Sequence, residues 1–170
     1  YETKNSYTAT VTVADGKISV NQFITVNISN LNDNNPVISS SATFSAAENQ
    51  TGIGSVTATD ADGDSLTYSI SGSEITISSS GVLTFVSAPD YETKNSYTAT
   101  VTVSDGTDSA TQNITVNVDN LNDNSPSFSS GASFSADENQ TAIGTVTAID
   151  ADGDAFTFSI SGSELSITSS

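Results

Sequence analysis

From Tyr97 to Val103 every second residue is apolar: Tyr97, Ala99, Val101 and Val103 alternate with Thr98, Thr100 and Thr102. In a pleated strand a spacing of two places each set on its own face, so this pattern predicts a strand with one face buried. Ile114, Val116 and Val118 repeat it against Thr115 and Asn117. Shorter strands are expected over Val37–Phe44, Gly54–Thr59, Leu66–Ile70, Ile75–Ile77 and Val82–Phe85. Gly and Ser turns separate them, and no segment carries the 3.6-residue period of a helix. The pattern predicts an all-β chain built from units of seven strands.

The pattern also repeats. Tyr1-Glu2-Thr3-Lys4-Asn5-Ser6-Tyr7 returns as Tyr91-Glu92-Thr93-Lys94-Asn95-Ser96-Tyr97, an offset of 90 residues. The same offset relates Leu31-Asn32-Asp33-Asn34 to Leu121-Asn122-Asp123-Asn124, and Asp60-Ala61-Asp62-Gly63-Asp64 to Asp150-Ala151-Asp152-Gly153-Asp154. Aligned without gaps, 1–80 and 91–170 agree at 57 of 80 positions. Such a period is too long for one coil of a solenoid and suits a small β-sandwich of roughly 100 residues. Proline has no amide donor and a fixed φ, so it fits the start of an edge strand after a linker. Asn34-Asn35-Pro36 and Asn124-Ser125-Pro126 are therefore the expected boundaries. They predict the C-terminal part of one repeat over 1–34, a complete repeat over 35–124, and the first four strands of another over 125–170. The chain reads as a window cut from a longer array.

Charge narrows the function. Twenty acids against three lysines give a net charge of −17. That excludes nucleic acid, whose phosphates need Lys and Arg, and argues against anionic membrane surfaces. No apolar run approaches the roughly 20 residues that span a bilayer. So many carboxylates in a compact body repel one another unless cations sit among them. There is no Cys and no His, which removes disulfides, thiol chemistry and zinc-type sites and points away from an enzyme. Oxygen ligands remain, and calcium takes 6–8 of them from carboxylates, Asn side chains and backbone carbonyls. The acids fall in short motifs at expected strand ends: Ala47-Glu48-Asn49, Asp60-Ala61-Asp62-Gly63-Asp64, Asp90-Tyr91-Glu92, Asp105-Gly106 and Asn120-Leu121-Asn122-Asp123-Asn124.

In these motifs, taken in order, the chain resembles the cadherin repeat over its whole length. The resemblance implies seven-stranded Greek-key, Ig-like sandwiches joined end to end, with calcium ions between repeats. It implies a first junction built from Glu2, Asn32, Asp33, Asn34, Asp60, Asp62 and Asp105. The second would take Glu48, Asp90, Glu92, Asn122, Asp123, Asn124, Asp150 and Asp152. Asp64 and Asp154 are candidate additional ligands. Asn30 and Asn120 stand where the family usually has Asp, which removes one carboxylate from each junction. The function implied is that of a calcium-stiffened spacer in a secreted or cell-surface protein, such as a bacterial adhesin. The partners implied are calcium ions and neighbouring repeats. The alternative is an adhesive module making homotypic contacts with other copies. Strand-exchanging relatives insert a Trp into their partner, and this chain has none, which favours the spacer.

The remaining polar residues read more plainly. Asp108 and Asp137 fit no motif and are expected to be solvated turn residues, whereas Phe85 and Tyr97 belong to the core. Asn27, Asn49, Asn113 and Asn139 head N-x-S/T sequons. Glycosylation is not expected at Asn49 or Asn139, which adjoin the metal motifs.

Overall fold

The structure, a computed structural model, describes residues 1–168. All regular structure among them is β, so the expected class holds. Strands β1 (Ser6–Ala14) and β2 (Ser19–Asn27) form an antiparallel hairpin. Asp15 shapes its turn by accepting the backbone N–H groups of Lys17 and Ile18 at 2.9 and 2.8 Å.

Nine strands follow: β3 (Val37–Ile38), β4 (Thr43–Ala47), β5 (Gly52–Ser55), β6 (Ala58–Thr59), β7 (Thr67–Ile70), β8 (Ile75–Ile77), β9 (Val82–Phe85), β10 (Ser96–Ser104) and β11 (Ser109–Asp119). One sheet has the order β4-β11-β10-β7, with β4 parallel to β11. The other is β5-β9-β8, and β3 pairs with β6. Val101, Val103, Ile114, Val116 and Val118 of the first sheet meet Ile75, Leu83, Phe85 and the neighbouring Val56 in one core. The alternation explains why. In β11 the three apolar side chains at 114, 116 and 118 are buried, and the residues between them are not. Gly81 makes the closest backbone approach: its φ is 83°, and a Cβ there would lie 2.3 Å from the carbonyl oxygen of Val56. Lys94 ties the rim, donating to both oxygens of Glu74 at 2.6 and 2.7 Å and lying 4.3 Å over the Tyr97 ring.

Two strand expectations are corrected. Val37–Phe44 is not one strand. The chain crosses between the layers after Ile38, so β3 pairs with β6 and β4 joins β11. Gly54–Thr59 likewise divides into β5 and β6, with a register shift between Gly52 and Gly54.

The flanking segments show what a strand needs. Val11 is 45% exposed in the hairpin, whereas Val101, its counterpart in β10, is 0% exposed. The sequence is the same and the opposing sheet differs. Among the described residues after 124, only β12 (Ser127–Phe128) and β13 (Ala148–Ile149) form, in place of four expected strands. In the preceding sandwich β3 and β6 pair with each other, whereas β4, β5, β7 and β8 all pair with strands β9 to β11. The described residues beyond 124 include no counterpart of β9–β11, so only the β3–β6 equivalent finds its ladder. The expected segment 125–170 ends at two residues, 169 and 170, that lie outside the described range.

Candidate metal centre

The motifs at Asp60 and Asp105 sit where a strand ends and a turn begins, and local bonding aims their carboxylates. Asp60 follows β6, and its Oδ1 accepts the N–H groups of Asp62 and Asp64 at 2.9 and 3.2 Å. Asp105 follows β10, and its Oδ1 accepts Thr107 and Asp108 N–H, both at 2.7 Å. These turn bonds, that from Asp108 first, hold the Asp105 carboxyl below the usual carboxylate range. In each case one oxygen holds the turn together and the other is left over. Asp60 Oδ2, Asp64 Oδ2, Asp105 Oδ2 and Asn32 Oδ1 are all buried with no hydrogen-bond partner among the described residues. Buried polar atoms are nearly always satisfied, and here four oxygens gathered at one junction are left without a partner among the described residues. Their chemistry fits calcium: hard oxygens, mixed charge, no nitrogen or sulfur donor.

The carboxylates are brought close enough to repel. Oxygens of Asp60, Asp62 and Asp64 lie within 4.8 Å of one another, as do those of Glu2, Asp33 and Asp62. Asp62 belongs to both groups and joins them. Burial pushes the Asp64 carboxyl upward, and the charges of Asp60, Asp62 and Asp105 push it further. Asn32 reaches the site by donating its amide to the Asp105 carbonyl at 3.4 Å, and Asn34 donates its own to Asp62 Oδ1 at 2.9 Å.

The second junction repeats the plan. Glu48, Glu92 and Asp123 form one group and Asp150, Asp152 and Asp154 another. Burial first, then the Asp90 contact and the charges of Glu48 and Asp152, raise the Glu92 carboxyl. Asn124 donates to Asp152 Oδ1 at 2.8 Å and to Glu92 Oε2 at 3.3 Å. Asp64 and Asp154, the additional candidates, therefore lie inside carboxylate groups. Asp90 does not: its carboxylate accepts the Thr93 hydroxyl at 2.7 Å, which lowers its pKa. Asn122 is exposed. Asn30 and Asn120 turn their amides to the backbone carbonyls of Asp62 and Asp152.

Two roles are not legible in the motifs alone. Glu48 is 2% exposed. Its Oε2 accepts Tyr91 N–H at 2.8 Å and its Oε1 accepts Leu121 N–H at 2.7 Å, so it joins the Asp90–Glu92 segment to the linker. Asn49 has a left-handed backbone, φ 64°, and donates its side-chain amide to Asp123 Oδ2. Asn is one of the few residues that tolerates this conformation. Its place directly after Glu48 was the one signal available.

An all-β sandwich in 90-residue repeats, with acids gathered on both sides of each linker, defines a cadherin-like repeat. Comparison with known proteins agrees. The family model described as bacterial Ig domain matches residues 32–117, and the chain belongs to that family. Among curated proteins, human protocadherin Fat 4 is 35% identical over 176 residues, which is 91% of this chain and 4% of that protein. Human protocadherin Fat 1 is 36% identical over 77% of this chain and 3% of its own length. The chain thus spans a few hundredths of the curated relatives it matches. Among solved structures, protocadherin gamma B2 extracellular cadherin domains 3–6 superpose with a TM-score of 0.73 at 30% identity, covering 88% of this chain and 43% of that one. Mouse cadherin-23 EC22–24 gives 0.62 at 27% identity, covering 89% and 55%.

Proposed function

We propose that the chain is a calcium-stiffened spacer within an extracellular, cell-surface protein, divided into repeat segments 1–34, 35–124 and 125–170. The observation that carries this reading is the set of four buried, unpartnered oxygens at the first junction, on Asn32, Asp60, Asp64 and Asp105. Calcium there would be held by these residues with Asp62, Asp33 and Glu2, and by Glu48, Glu92, Asp123, Asp150, Asp152 and Asp154 at the second. Asn34 and Asn124 orient the carboxylates, Asp90 turns to Thr93, and Asn122 offers a further linker oxygen at the second junction. When bound, the ion supplies positive charge that links carboxylates of consecutive repeats. The protein's own residues provide the rest: turn bonds aim the oxygens, and Glu48 fixes the linker's start. The likeness to extracellular cadherin domains 3–6 of protocadherin gamma B2 supports the location.

The alternative is an adhesive module that pairs with other copies. One similar solved structure is a cis-dimer, that of protocadherin gamma B7 EC3–6. The two roles separate in solution. Small-angle scattering on a chain of three or more whole repeats should give an extended monomeric rod with calcium, and a shorter, broader distribution of lengths in chelator. Mass that rises with calcium and with protein concentration would instead establish the adhesive role. A globule indifferent to calcium would overturn both.

A further inference from the structure

The linkers are also held by hydrogen bonds to the sandwich that follows them. At the first junction four hydrogen bonds converge on one residue of the following sandwich. Asn30 Nδ2 donates to the Asp62 carbonyl at 2.8 Å. The N–H groups of Asp33 and Asn34 donate to Asp62 Oδ2 at 3.0 and 2.8 Å. Asn34 Nδ2 donates to Asp62 Oδ1 at 2.9 Å. The second junction reproduces all four on Asp152, from Asn120, Asp123 and Asn124, at 2.8, 3.0, 2.8 and 2.8 Å. Three donors on one carboxylate make charge-assisted bonds, which are stronger than neutral ones. The fourth, from Asn30 or Asn120, reaches across from the end of the preceding strand to a backbone carbonyl. A carboxylate there would face that carbonyl with like partial charge and would need a cation between them. The amide closes the gap directly.

We infer that Asn30 and Asn120 are struts of a metal-independent clamp, which docks each linker on the sandwich that follows it whether or not calcium is bound. Loss of cation then frees the carboxylate groups to repel, Glu48, Glu92 and Asp123 among them, while these hydrogen bonds keep each linker on the sandwich that follows it. The clamp shares Asp62 and Asp152 with the proposed calcium sites but engages them through N–H donors of the linker.

Amide hydrogen exchange of the whole chain in excess chelator tests this without reference to calcium binding. The N–H groups of Asp33, Asn34, Asp123 and Asn124 should be protected. Asn30→Ala should reduce protection at Asp33 and Asn34 by roughly tenfold, the loss of about one net hydrogen bond, while the amides of β10 and β11 keep theirs. Asn30→Asp, of the same shape but without the donor, should give the same loss and guards against a packing effect. Unprotected linker amides in the unaltered chain, or protection unchanged in both variants, would overturn the inference. Failure of calcium to bind would leave these results unaffected, so the two readings fall separately.

Discussion

In chelator the chain should melt well below its temperature in saturating calcium. A ligand that binds only the folded state stabilises by about 2.7 kcal/mol per site at a hundredfold excess over its dissociation constant. For a sandwich of this size each kcal/mol moves the melting temperature by roughly 4–8 °C, so one occupied site should be worth about 10 °C or more. Relief of repulsion among Glu48, Glu92 and Asp123, whose oxygens lie within 4.8 Å of one another, adds to this. Asp123→Ala removes the linker's own carboxylate from that group and should abolish most of the calcium response at the second junction. The check is thermal unfolding with and without chelator. Superimposed curves would count against metal binding at both junctions.

The second large effect is at Glu48 and does not depend on calcium. Glu48→Ala should destabilise the central sandwich in chelator by on the order of 1–3 kcal/mol, because the half-buried Tyr91 N–H loses the acceptor it has among the described residues, as does the Leu121 N–H of the linker, and an unpaired buried donor costs about 1–3 kcal/mol. Glu48→Gln keeps one acceptor oxygen and should cost about half as much. The internal control is Glu138, at the matching place 90 residues on, which is exposed. Glu138→Ala should stay within about 0.5 kcal/mol, as surface substitutions do. Urea unfolding of the three variants in chelator measures the difference. Equal costs at 48 and 138 would show that the buried carboxylate does not brace the linker.

Strand positions were legible because burial on one face imposes a period of two. Ile75–Ile77 and Val82–Phe85 match their expected limits, and Tyr97–Val103 falls within β10. What alternation cannot encode is which sheet a strand joins. Val37–Phe44 reads as one run, yet the crossover after Ile38 sends β4 to β11, a choice made by tertiary partners. The segment beyond 124 makes the same point in reverse. It carries the residues of four strands, but ladders need partners, and only β12 and β13 find theirs. For the site, spacing placed the carboxylates at strand ends, and Asp60, Asp62 and Asp64 do converge. Spacing could not say that Asp90 would turn to Thr93, or that the amides of Asn30 and Asn120 would face carbonyls. Those outcomes depend on which oxygen each local turn uses, a matter of ångströms rather than of residue type.

The central claim is that cations sit between repeats, on oxygens that the fold leaves free. A crystal structure of the chain grown in calcium, with the ions located by their anomalous signal, tests it most directly. The account predicts calcium at both junctions with oxygen-only coordination at about 2.3–2.6 Å, the first bound by Asp60, Asp62, Asp105 and Asn32 Oδ1. Junctions free of metal in saturating calcium, or an ion lodged inside a sandwich, would contradict it.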